Sequence, residues 1–375
     1  MRRLLILCIG LLLIGSCIDR IEIKIPDSYT SQLVVDGVIT DEPGPYTVRL
    51  TSSTKVESFL LFHRDFATGA TVTIYDNVGS SELLTELSPG VYQTKENGIR
   101  GVIGREYYLR IITSNGKVYE SIPDLLSPVG KLDSLYFERE SFLPLNDQER
   151  YGFRFYIDAQ SPPDNDTYVR WKFTGVYEIN AYPELYGRKI GQTDCVRGPL
   201  PCSGLIFSGA GYQRLEDCSC CKCWVTRYED QPHVSDNQFV YNGEAKKVEI
   251  GYVPVEFFPF QAGKYRVEVK QMSLSRIAYD YWRIIQSQKE GAASLFQPPT
   301  GKIRSNVFSR DGSQEVQGLF YASAVATKQV YLTSKDVQDI KLRIPFWDCE
   351  TGLIAEDCRK AFLFSSATKP ADWKY

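Results

Sequence analysis

The chain has 375 residues, enough for two domains, and ten cysteines. Its 43 basic and 46 acidic residues leave a formal charge of −3 with no basic stripe, which speaks against a nucleic-acid partner. The 24 tyrosines and 19 phenylalanines, set among frequent turn residues, suit a secreted, mainly β protein.

The N-terminus reads "MRRLLILCIGLLLIGSC". Arg2 and Arg3 form a basic n-region, and Leu4 to Gly15 an apolar run that is short for a membrane span of roughly 20 residues. Small residues then precede Cys17, the pattern of a lipobox whose cysteine is acylated after cleavage. Residues 1–16 are thus expected to be a signal peptide, Cys17 the lipidation site and 17–30 a tether. An ordinary secretory signal with an incidental cysteine is the alternative. No later stretch is apolar enough to cross a bilayer, so the lipid would provide the anchor.

Between 31 and 122 come short β-branched and aromatic runs, "QLVVDGVIT", "YTVRLTSS", "ATVTIYD", "GVYQT", "EYYLRIIT" and "KVYES". Turns such as "DEPGP", "NVGS" and "TSNG" separate them. That spacing predicts an immunoglobulin-like β-sandwich. The prolines of "SIPDLLSPVG" place a boundary before a second β-rich domain, 131–375. There, one amphipathic helix is expected near 273–290, with Leu274, Ile277, Ala278, Tyr281 and Ile285 on its apolar stripe.

Export directs the reading of the cysteines, because thiols outside the cytoplasm tend to end as disulfides. With Cys8 removed and Cys17 lipidated, eight remain: Cys195, Cys202, Cys218, Cys220, Cys221, Cys223, Cys349 and Cys358. Cys349 and Cys358 bracket a short loop and are expected to pair. The other six, in a cysteine-rich insertion over 195–223, are expected to pair among themselves, with the neighbours Cys220 and Cys221 bonding outward. A thiolate metal cluster is the competing use of "CSCCKCW", but its abutting C-x-C pairs lack zinc-site spacing, and a redox centre would need a thioredoxin-like context that is missing. No metal or other cofactor is expected.

Catalytic motifs are sparse. His63 and His233 sit in no recognisable triad context. "DNDTYVRWKF" starts like a calcium loop at Asp164 and Asp166 but lacks the later glycine and glutamate, and "SRDGSQE" reads as a hairpin turn. The aromatics Trp171, Tyr177, Tyr182 and Tyr186 could stack on a glycan or grip a peptide, against the plainer reading of core packing.

In order, "LVVDGVIT", "ATVTIYD", "GREYYLRI", "GKVYESIPDLLSPVGKLDSLYF", "YDYWRIIQSQ", "SLFQPP", "IRSNVFS" and "GLFYASAV" resemble the Bacteroidota lipoproteins grouped as the domain-of-unknown-function 4249 family. The resemblance spans essentially the whole exported chain and carries no catalytic residues. It implies a lipid-anchored outer-membrane protein, commonly encoded beside a TonB-dependent receptor β-barrel. The resulting expectation is a non-enzymatic accessory binding component in nutrient uptake. An envelope structural or adhesive module is the alternative, and a secreted hydrolase a more distant one.

Overall fold

The structure is a computed structural model, and it describes residues 31–53, 65–143, 149–161, 168–190, 194–235, 243–291, 303–312, 314–342 and 353–374. The signal segment, Cys17, His63, Asp164, Asp166 and Cys349 lie outside the described residues.

The protein is mainly β, and two pairs of facing sheets each close on an apolar core. Alternation along each strand decides which side chains enter. In Leu33–Thr40, Leu33, Val35 and Ile39 are buried while Asp36 is exposed. With Val48 and Leu50 of Thr47–Ser52 they face Val72 and Ile74 of Thr71–Asp76 and Leu109 and Ile111 of Glu106–Ile112.

The expected boundary near 122 does not separate this first unit from the rest. Gln317–Ser323 runs parallel to Leu33–Thr40 and forms the edge of its sheet, and Val307–Ser309 pairs with Val118–Ser121 in the opposite sheet. The domain reading 31–122 therefore omits two strands. Parallel neighbours need a long crossover, so no local turn signal could have announced this return. The returning strand is buried on both faces, which explains the unbroken apolar run "GLFYA". Phe320 and Ala322 enter the first core, whereas Leu319 and Tyr321 pack on the other side.

The second unit pairs a three-stranded sheet, Leu132–Phe142, Arg150–Gln160 and Glu244–Pro254, with a larger one. The larger sheet runs Val325–Thr333, Lys264–Leu274, Tyr168–Asn180, Lys222–Tyr228 and Ser365–Ser366. Phe153, Phe155, Ile157, Trp171, Phe173, Tyr177, Val267 and Val269 fill the space between them.

Ser275 opens the helix Arg276–Gly291, its hydroxyl accepting from the Ala278 N–H at 3.2 Å. The buried face matches the expected stripe in part. Ala278 is buried with Tyr279, and Tyr281 and Trp282 pack beside them, whereas Ile277 is 40% exposed and Leu274 ends the preceding strand. The reason is the partner surface: the helix lies across Met272 and Leu274 of one unit and Leu319 and Tyr321 of the strand shared with the other. It ties the two units together.

Candidate functional site

The second unit is open along one side, and there lies a cleft of about 990 Å³. One wall contains five residues of a strand end, Glu249, Ile250, Gly251, Tyr252 and Pro254; the other is the continuous stretch Thr226 to Gln231. Successive side chains of a strand point to opposite faces, so a cleft touching consecutive residues must run along strand edges rather than over a sheet face. Glu244–Pro254 is the edge strand of its sheet. The floor is aromatic: Tyr177 and Tyr265 stack with ring centres 5.5 Å apart. Phe173 lies so close to the wall that a Cβ on Gly251 would meet its ring at 2.7 Å, which is why that strand carries glycine there.

A third segment forms the lip. Helix Cys358–Ala361 leads into Phe362, Leu363 and Phe364, all of which line the cleft. Phe364 has φ 57°, a left-handed backbone that costs a bulky residue on the order of 1–3 kcal/mol. It is held by the Thr226 N–H, which donates to the Phe364 carbonyl at 3.0 Å, and by an edge-to-face contact with Tyr228 at 5.4 Å. The ring nevertheless stays 63% exposed. An aromatic kept in a costly conformation at an open mouth fits a binding surface better than core packing.

Most of the charges at the cleft are spent on each other. Arg227 bonds Glu256 at 2.7 Å, Glu229 pairs with Arg170, and Glu249 pairs with Arg154. Glu229 also accepts the Phe173 N–H at 2.8 Å. Burial pushes the Tyr177 and Tyr265 hydroxyls above the usual phenol range and holds His233 below the usual imidazole range. Polar hydroxyls, an imidazole and the ion-paired carboxylates of Glu229 and Glu249 can orient a ligand.

Of the four aromatics expected to bind a ligand, the fold brings Tyr177 to the cleft. Trp171 is a core residue, 4% exposed, and its indole N–H donates to Gln271 at 2.8 Å. The two share a parity on Tyr168–Asn180 and both face inward, so Trp171 is corrected to packing. Tyr182 and Tyr186 are half-buried around the turn Pro183–Leu185 and do not line the cleft. Among the lining residues missed from the sequence are Arg227, Tyr228, Tyr252, Leu363 and Phe364. One signal pointed towards them: proline in "IGYVPV" marks an edge strand.

The cysteines need two corrections. Cys202 bonds Cys220 and Cys218 bonds Cys221, each with Cα atoms 5.6 Å apart. Cys358, however, bonds Cys223 rather than Cys349, with Cα atoms 6.1 Å apart. The C-terminal segment returns beside Lys222–Tyr228, pairing Ser365 with Val225, and this brings two distant cysteines together. Cys223 therefore belongs to a core strand, and the insertion 195–223 includes two residues of the sheet. Before that strand lie the small hairpins Gly187–Ile190 with Asp194–Arg197, which carries Cys195, and Leu205–Phe207 with Tyr212–Arg214. Sulfurs joined in disulfides are not thiolate ligands, so Cys218, Cys220, Cys221 and Cys223 act as staples.

The Cys223–Cys358 bridge anchors the lip. Replacing both cysteines with alanine is expected to cost about 3 kcal/mol and to speed amide exchange at Phe362 to Phe364, read by urea titration and hydrogen-exchange mass spectrometry. Unchanged exchange there would mean that the lip is held without the bridge.

Facing sheets, disulfide staples and an edge-lined aromatic cleft define a disulfide-stapled, mainly β protein with a groove suited to binding. The chain belongs to the family described as Domain of unknown function (DUF4249), whose family model matches residues 18–329. No curated protein matches it.

Proposed function

We propose that this protein is a lipid-anchored, non-enzymatic accessory of the bacterial outer membrane that captures a nutrient ligand for a TonB-dependent transporter. The observation that carries the binding part is the cleft: exposed aromatics at its mouth, a buried aromatic floor, and two of its three carboxylates, Glu229 and Glu249, already paired with arginines. The lipobox at Cys17 supports the anchor, and three disulfides support an oxidising compartment. No helix among the described residues is long and apolar enough to cross a membrane, so the acyl chains would carry the attachment. A partner on the same surface would then meet this protein at a raised effective concentration, and weak contacts would suffice.

Cys17→Ser is expected to move the protein from the membrane to the soluble fraction. Detergent extracts of the wild type should yield a β-barrel companion after cross-linking. A variant that stays with the membrane at high salt would sink the anchor, and a wild type without any barrel would sink the transport role. An adhesive module is the second reading. It draws on the stapled hairpin Leu205–Phe207 and Tyr212–Arg214, where Ile206, Phe207 and Tyr212 are exposed.

A further inference from the structure

We infer that the ligand of the cleft is an extended peptide that docks as an added strand on the free edge of Glu244–Pro254; this rests on the binding role proposed above. Strand addition needs unpaired backbone groups facing the groove, and the ladder phase supplies them. The Val255 N–H donates to the Tyr151 carbonyl at 2.9 Å, so residue 255 stands in a hydrogen-bonded pair with residue 151. Antiparallel pairs alternate, so Val253 and Gly251 continue that bonding to Phe153 and Phe155. The N–H and C=O of Tyr252, and the C=O of Pro254, are then turned to the other edge, where no strand pairs among the described residues. The register shifts between Phe155 and Tyr156, an irregularity of the kind that re-aims a strand beside a site.

The guest has definable limits. Lys246 and Lys247 at one end and Pro254 at the other guard the edge against pairing with another sheet, leaving Glu249 to Tyr252 open to a short segment. Alternate side chains of such a segment would fall on the floor of Phe173 and Tyr177 and against the lip of Tyr228 and Phe364. Charge selects further. Glu229, Glu249 and Arg227 have partners of opposite sign, whereas Asp230 has no ion pair among the described residues. A basic side chain on the guest would complement it. A glycan could use the aromatic rings and bond one edge group through a hydroxyl, but a peptide backbone alone matches the Tyr252 N–H and C=O together at strand spacing, so the free edge favours a peptide.

The test uses the full chain in detergent and four probes: the peptide Lys-Phe-Thr-Val-Lys-Phe-Thr-Val, the same peptide N-methylated on alternate amides, its counterpart with Glu in place of Lys, and cellohexaose. Calorimetry is expected to show binding of the first, with N-methylation weakening it about tenfold or more and the Glu form also weaker. Hydrogen exchange at Tyr252 should slow when the first peptide is added. Tyr252→Pro, which removes the edge donor, should bind more weakly than Tyr252→Ala, which removes only the ring. Equal affinity for the plain and N-methylated peptides, unchanged exchange at Tyr252, or no peptide binding would each overturn the inference. Cellohexaose binding in place of peptide would overturn it while leaving the cleft as a binding site. Peptide binding without any barrel partner would instead count against the transport role alone.

Discussion

Gly318→Ala is expected to destabilise the protein by about 3–5 kcal/mol and to split its unfolding into two transitions. Gly318 has φ +96°, a backbone that favours glycine. A Cβ built there would also lie 1.8 Å from the Val35 carbonyl oxygen, a backbone atom that cannot rotate away. Alanine therefore forces Gln317–Ser323 off Leu33–Thr40 and disturbs a register that runs from Val34 with Gln317 to Thr40 with Ser323. The strand is also the floor on which the helix rests through Leu319 and Tyr321, so its shift loosens both units at once. Gly312→Ala is the control. It too has a positive φ, +67°, but its Cβ would meet nothing within 4 Å, and only the conformational cost of about 1 kcal/mol is expected. Calorimetry of the two variants side by side checks this. If they lose equal stability, the close packing against Val35 does not hold the strand.

What could be read from the sequence follows the range of the forces involved. Strand alternation is a local property, so "QLVVDGVIT", "ATVTIYD" and "EYYLRIIT" each fall on an observed strand, and "SLSRIAYDYWRIIQSQKE" covers all but the last residue of the observed helix. Partnership is not local. Nothing near residue 317 says that it will lie beside residue 34, and nothing near Cys358 points to Cys223 rather than the closer Cys349. The cleft shows the same division. Tyr177 could be singled out as an aromatic in a rich stretch, but its separation from Trp171 depends on which sheet covers that face. Phe364 carried no sequence signal, because its exposure comes from a backbone twist fixed by Tyr228 and the Cys223–Cys358 bridge. The helix face was placed only in part, for a related reason. Periodicity gives a stripe, but an uneven bed of Met272, Leu274, Leu319 and Tyr321 decides which side of that stripe sinks in.

Arg170→Ala is expected to cost about 3–5 kcal/mol and to weaken both the helix attachment and the cleft. Arg170 is on the outward parity of Tyr168–Asn180, opposite to Trp171, yet it is buried beneath the helix. Its guanidinium stacks 3.6 Å over the Trp282 ring and pairs with Glu229, both side chains being about one-tenth exposed. Burial works against its charge, and the Tyr321 hydroxyl and the Glu229 carboxylate outweigh that effect, so its pKa stands above the usual guanidinium range. Removing the cation leaves the Glu229 carboxylate desolvated and unpaired while it still accepts the Phe173 N–H. Glu229 also lines the cleft, so the same change reaches the binding wall through the chain between Tyr228 and Gln231. Glu229→Gln alone should be milder, and Arg170→Met with Glu229→Gln should recover much of the loss, because a neutral pair of similar volume has no charge left to bury. Urea unfolding gives the stabilities, and hydrogen exchange over 276–291 and 226–231 shows where the structure opens. If Arg170→Ala alone proves no less stable than the double variant, the ion pair is not what holds the helix across the two units.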